Sequence, residues 1–184
     1  MPNNGVVLDA DVLYSIEVTD VLLTMASARL IRVHWSTEIL DEVQRNLTER
    51  VSIDAVSYRI EQMKRAFPGA LDDAPPELIA EMSVNVKDRH VLALAVHLEV
   101  PIIVTENLRH FPARLCEPVG VEAVSPDEFL ARYAHNEPHA MADVLTKMAA
   151  RRRRPPKSAD AIIDRLKPRY PKFATAMRTP PSPE

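Results

Sequence analysis

The chain has 184 residues, 46% hydrophobic and 27% charged, enough for one compact domain with a small appendage and too apolar for a wholly disordered polymer. Its three glycines, Gly5, Gly69 and Gly120, can build neither a Walker loop nor a GxGxxG turn, and its one cysteine, Cys116, excludes an intrachain disulfide framework and a cysteine zinc site. The formal net charge of −3 conceals a division: residues 151–184 hold ten of the 23 Lys/Arg and three of the 26 Asp/Glu, leaving 13 and 23 in residues 1–150.

MPNNGVVLDAD reaches an acidic pair too soon for a signal-peptide apolar region. No apolar run approaches membrane-spanning length, so a soluble cytoplasmic protein is expected. Val6-Val7-Leu8 reads as a buried strand. Thr19 is read as the N-cap of a helix through Val21, Leu22, Met25 and Ala28. Leu30 to His34 reads as a second strand, and Ser36 caps a helix over Ile39, Leu40, Val43 and Leu47. Val56, Ile60, Met63 and Phe67 keep helical spacing until Pro68-Gly69, and Pro75-Pro76 opens a short helix. Asn85 and Asp88 bracket a helix start before Val91, Leu94, Ala95 and Leu98. Ile102-Ile103-Val104 is a third strand and Val121 to Val124 a fourth. Ser125-Pro126-Asp127-Glu128 carries a cap, a first-turn proline and a capping-box glutamate. Short apolar strands alternating with helices imply a parallel sheet covered on both faces.

Beyond Pro138, Met141, Val144, Leu145 and Met148 form the stripe of a helix, and Ile162, Ile163 and Leu166 that of a shorter one. The stripe of the first must dock on the body or on a second protein. Seven of the 16 prolines and the run Arg151 to Arg154 fall in the last 34 residues. The expected division is a domain over 1–134, a helical basic extension over 135–177 and a disordered tail over 178–184. A basic tail on an acidic body binds an anionic partner such as nucleic acid, folds back on the body, or is a solvated arm.

In an open parallel sheet, ligands sit beyond the carboxyl ends of the strands. Asp9 and Asp11 follow the first strand, and Thr105, Glu106 and Asn107 follow the third. Asp88 opens the helix before the third strand, and Glu38, Asp41 and Glu42 lie on the helix after the second. Singly, Asp9 reads as a turn former and Asp88 as a helix cap; their joint placement points to a site. Crowded carboxylates raise one another's pKa, and a divalent cation removes that cost. Hard oxygen donors favour Mg²⁺ or Mn²⁺ over zinc. At about 100° per residue Glu42 flanks the apolar face of its helix, whereas Glu38 and Asp41 point further to solvent. His90, His97, His135 and His139 read as structural or surface residues.

VVLDADVLY, STEILDEVQRNL, VKDRHVLALAV and IIVTENLRHFP, in that order, resemble the motifs of PIN-domain ribonucleases, most of all the VapC-type toxins of bacterial toxin–antitoxin pairs. The resemblance covers about residues 5–131. It implies an α/β/α sandwich with a parallel sheet of four or five strands, and an endoribonuclease that cuts single-stranded or looped RNA with Mg²⁺ or Mn²⁺, leaving a 5′-phosphate and a 3′-hydroxyl. It also implies an antitoxin partner and a homodimer. Carried over by position, Asp9 is the first metal ligand, Asp11 matches a polar position, and Glu42 and Asp88 match the helix glutamate and the helix-opening aspartate. Asn107 stands where an aspartate is usual, and Asp11 or Glu106 is then the source of the missing charge. Arg89, Arg109 and His110 lie beside the motifs and are candidates for RNA contact, as are Arg151, Arg152, Arg153 and Arg154.

Two other readings share these residues. VVLDADVL also fits the opening of haloacid dehalogenase-like phosphatases, with Asp9 as nucleophile and Asp11 as acid, although VTENLRHFP lacks their later signature. A catalytically degenerate PIN fold, with Asn107 as the lesion, is the non-enzymatic alternative.

Overall fold

The structure is a computed structural model and describes residues 4–151 and 158–179. Its sheet has four strands: β1 (Gly5–Leu8), β2 (Arg32–His34), β3 (Ile102–Val104) and β4 (Glu122–Val124). All pair in parallel in the order β2-β1-β3-β4, with Val7 opposite both His34 and Ile103, and Ile103 opposite Ala123. Parallel neighbours need long crossovers, and helices supply them. α1 (Ala10–Leu13) and α2 (Ile16–Ser27) lead to β2. α3 (Thr37–Leu47), α4 (Ile53–Ala66), α5 (Pro76–Glu81) and α6 (Arg89–His97) lead to β3, and α7 (Ala113–Cys116) to β4. α8 (Pro126–Asn136), α9 (Pro138–Arg151), α10 (Ala159–Leu166) and α11 (Pro171–Arg178) follow. This is the expected α/β/α class, with four strands in the sheet and C-terminal helices.

The described chain forms two compact units. The first comprises residues 4–15 and 32–124. β1 is buried along its whole length, as a strand covered on both faces must be. α6 packs on β1 and β3 and buries Val91, Leu92 and Leu94, and α3 buries Ile39, Leu40 and Val43. Trp35 extends the β2 edge, its carbonyl accepting from the Asp72 N–H at 3.1 Å and its own N–H donating to the Ala70 carbonyl at 2.9 Å. That covers an edge which would otherwise present unpaired backbone groups.

The second unit comprises residues 16–31, 125–151 and 158–179. α2 packs on α9, α10 on α9 and α11 on α8. Met141, Val144, Leu145 and Met148 are buried, so the α9 stripe docks within this unit, against α2 with its buried Leu22 and Met25 among others. Asp127 crosses to α11 and accepts from the N–H groups of Lys172 and Phe173, at 3.2 and 2.9 Å, satisfying donors that Tyr170 leaves uncapped.

Two expectations change. α2 starts at Ile16, so Thr19 is buried inside the helix rather than capping it. Arg178 ends α11 instead of opening a disordered tail, because Phe173, Ala174 and Ala176 give residues 171–178 a face to bury. Residues 180–184 lie outside the described residues, as do Arg152, Arg153 and Arg154. Among the described residues no helix is long and apolar enough to cross a membrane.

Candidate active site

β1 has β2 on one side and β3 on the other, so the strand order reverses between β1 and β3. The crevice beyond their carboxyl ends is the expected ligand position in such a sheet. Asp9 follows β1 and Thr105 follows β3, each held by a continuing backbone bond: the Asp9 N–H to the Val104 carbonyl at 3.1 Å, the Thr105 N–H to that of Val124 at 3.0 Å. Asp9 is 8% exposed. Its Oδ1 accepts from the Ala10 N–H at 2.7 Å, which caps α1, and its Oδ2 accepts from the Thr105 hydroxyl at 2.8 Å. The same hydroxyl stands 3.2 Å from Asp11 Oδ2, while Asp11 Oδ1 accepts from the Glu106 N–H at 3.1 Å. One hydroxyl therefore serves two carboxylates. Burial, then the charge of Asp11, pushes the Asp9 pKa up to about 7 against the pull of the Thr105 and Ala10 bonds, and Glu42 adds to the rise. Asp11 is also raised, chiefly by burial.

Ser36 starts α3 by accepting from the Ile39 N–H at 3.1 Å, and Asp73 accepts from both the N–H and the hydroxyl of Thr37 at 2.8 Å. With Ile39, Leu40 and Val43 facing the core, Glu42 falls at the border, 27% exposed. It meets His90 in the first turn of α6: Glu42 Oε1 is 3.3 Å from His90 Nε2. Glu38 is exposed, as its helical position predicts, yet its Oε2 lies 3.9 Å from His90 Nδ1. Burial lowers the His90 pKa, but the Glu42 bond and the two glutamate charges outweigh it and the net shift is upward. His90 is the site residue that sequence reasoning passed over. Sequence spacing marks it only as lying two positions after Asp88; its meeting with Glu38 and Glu42 requires α3 and α6 to pack together.

Asp88 stands at the junction of a short 3-10 turn and α6, with Oδ1 3.2 Å from His110 Nδ1. Asn107 places its Nδ2 3.0 Å from the same His110 nitrogen, accepts from Arg109 Nε at 2.9 Å, and donates its backbone N–H to the Thr105 hydroxyl at 3.0 Å. A chain of contacts thus runs Asp9, Thr105, Asn107, His110, Asp88. Tyr14 accepts from Asn46 Nδ2, and burial raises its pKa, with the charges of Glu42, Asp9 and Asp11 adding to the rise. Arg109 and Arg151 are exposed. Arg89 turns its guanidinium to the carbonyls of Val84 and Ala80, 3.3 and 3.4 Å away, and so fastens the α5–α6 connection.

Two of these acids leave a demand that a divalent cation would meet. Asp88 Oδ2 is buried with no hydrogen-bond partner, and Asp9 keeps its proton to near neutrality because burial and the charges of Asp11 and Glu42 hold it there. A cation answers both. The sequence model of the PIN domain family matches residues 5–109, and that of the VapC50 C-terminal domain matches residues 126–179. A curated protein named "Putative ribonuclease VapC50", from Mycobacterium tuberculosis (strain ATCC 25618 / H37Rv), is 37% identical over 102 residues, which cover 55% of this chain and 60% of that protein. No solved structure matches. With more than half its length matched and its acids standing at the strand ends, the chain belongs to the PIN domain family.

Proposed function

We propose that this chain is a divalent-metal-dependent endoribonuclease, the toxin of a cytoplasmic toxin–antitoxin pair, with RNA as substrate and a cognate antitoxin and a second copy of itself as protein partners. The family match supports the nuclease over the phosphatase reading of VVLDADVL, and the relative's name supports RNA as substrate. The observation that carries the proposal is the meeting of Asp9 and Asp11 through the Thr105 hydroxyl at the strand-order reversal, within electrostatic reach of Glu42.

Asp9, Asp11, Glu42 and Asp88 would hold Mg²⁺ or Mn²⁺. When bound, such a cation supplies a nucleophilic water at neutral pH and offsets charge developing on the phosphate oxygens. Thr105 fixes the Asp9 and Asp11 carboxylates against the sheet. Glu42 rests one oxygen on His90 and has the other to accept a proton from the attacking water. His110 orients Asp88, Arg109 Nε holds the Asn107 side-chain carbonyl oxygen, and the exposed Arg109 guanidinium is placed to meet a phosphate. Arg151 to Arg154 would steer RNA toward an acidic site that otherwise repels it.

Cleavage of a looped RNA by the purified chain, freed of any antitoxin, tests this. Activity is expected with Mg²⁺ or Mn²⁺ and none with EDTA. Asp9→Asn, Glu42→Gln and Asp88→Asn should each lower the rate about 100-fold or more while circular dichroism stays native. EDTA-resistant cleavage, or a triple variant as fast as wild type, would overturn the assignment.

A further inference from the structure

The first turn of α6 sends a nearly enclosed imidazole against two glutamates of α3. His90 is 4% exposed, and its Nδ1 has no hydrogen-bond partner although it faces Glu38 Oε2 at 3.9 Å. A buried ring nitrogen without a partner is costly, and such groups call for an occupant. One ligand atom from each of Glu38, Glu42 and His90 falls within 4.8 Å of the others. A cleft of about 480 Å³, lined by Glu38, Asp41, Arg45, Asp73, Ile79 and His90 among others, opens onto the Glu38 and His90 members of the group. Zinc bonds to nitrogen and oxygen are about 2.0–2.2 Å, so two ligands of one ion stand about 3–4 Å apart. The 3.9 Å between His90 Nδ1 and Glu38 Oε2 already lies in that range, and since one ligand atom of each residue lies within 4.8 Å of the others, rotation of the exposed Glu38 side chain closes the set.

We propose that Glu38, Glu42 and His90 form a second cation site, entered through this cleft, that takes a borderline transition metal of the Zn²⁺ type. The imidazole sets the selectivity. Mg²⁺ prefers an all-oxygen shell and keeps its waters, whereas Zn²⁺ binds imidazole readily. The Asp9, Asp11 and Asp88 carboxylates offer oxygen only. Two sites of different softness therefore share Glu42. Zn²⁺ at the second engages a carboxylate needed at the first, and so inhibits. The inhibition rests on the nuclease reading; the site does not.

Calorimetric titration of the full chain with Zn²⁺, in excess Mg²⁺, tests the site. One Zn²⁺ should bind with an affinity that Glu38→Gln and His90→Gln each lower about tenfold or more, while Asp9→Asn changes it by less than about threefold. Because His90 is buried and its replacement can disturb folding, the exposed Glu38→Gln variant carries the test, with circular dichroism as the fold check. Zn²⁺ should also inhibit Mg²⁺-supported RNA cleavage in wild type, and at about tenfold higher concentration in Glu38→Gln. Zn²⁺ affinity unchanged in Glu38→Gln overturns the site, whatever cleavage does. Zn²⁺ binding that follows Glu38 in a protein that cuts no RNA upholds the site and defeats the nuclease reading.

Discussion

Asp9 sets a pH dependence that can be worked out in sign. Its carboxyl, raised to about 7, must lose a proton to hold a cation, so Mg²⁺ affinity should rise steeply between about pH 6 and 8. Asp9→Asn should flatten that rise in a titration across the same range. In the metal-free protein the linkage runs the other way. An acid whose folded pKa exceeds its unfolded one keeps its proton longer in the folded state, so its stabilising effect is full below about pH 4 and declines as pH rises toward about 7. Asp9→Asn should therefore raise the melting temperature at about pH 8 and change it little at about pH 4. The gain should be on the order of 2 kcal/mol, since Asp11 and Glu42 relax in part. Asn107 offers a second check: Asn107→Asp adds charge beside Asp88 and His110 and should tighten Mg²⁺ several-fold by calorimetry, and equal or weaker affinity would count against its place in the cluster. The positions of Asp9, Asp88 and Glu42, as candidates, were legible in the sequence because each is marked locally, by a strand end, a helix start or the border of an apolar stripe. The sharing of Thr105 by two carboxylates was not, nor was the role of His90. Both depend on distant segments meeting: β1 with β3, and α3 with α6.

Among the elements, those with local punctuation read correctly. Ser36 and Ser125 accept from the N–H groups of Ile39 and Glu128, as their spacing predicted, and Pro76 opens α5. β1 and β3 read true because continuous apolar runs bounded by polar residues have few other fates. Thr19 misled because a good capping residue also occurs inside helices when its neighbours are apolar. α11 escaped notice since Asp127, 46 residues before Phe173, satisfies its first N–H groups. α3 matters most, as it carries Glu38 and Glu42. Ser36→Ala removes its buried cap and should cost about 1 kcal/mol in a urea melt, with weaker cation binding alongside because the glutamates lose their anchor.

At the scale of the molecule, the basic C-terminal segment is not an independent arm. Ile162, Ile163, Leu166, Tyr170 and Phe173 are buried in the second unit, so deleting residues 151–184 would strip its core along with the charge. Neutralising the arginines separates the two effects: Arg151, Arg152, Arg153 and Arg154 changed together to Gln should preserve the melting temperature and weaken RNA binding. The salt dependence should flatten by about 0.7 in slope for each phosphate that is no longer neutralised. Unchanged affinity and slope would remove these residues from the RNA path. The second unit also has a consequence for how the protein is made. α2 and its partner α9 are separated by more than a hundred residues, with most of the sheet encoded between them. On a ribosome adding about 5–20 residues per second, α2 emerges roughly 5–20 s before α9 exists. Through that interval Val18, Val21, Leu22 and Met25 have no completed hydrophobic face to join, which makes the nascent chain a client for chaperones at its N-terminal end.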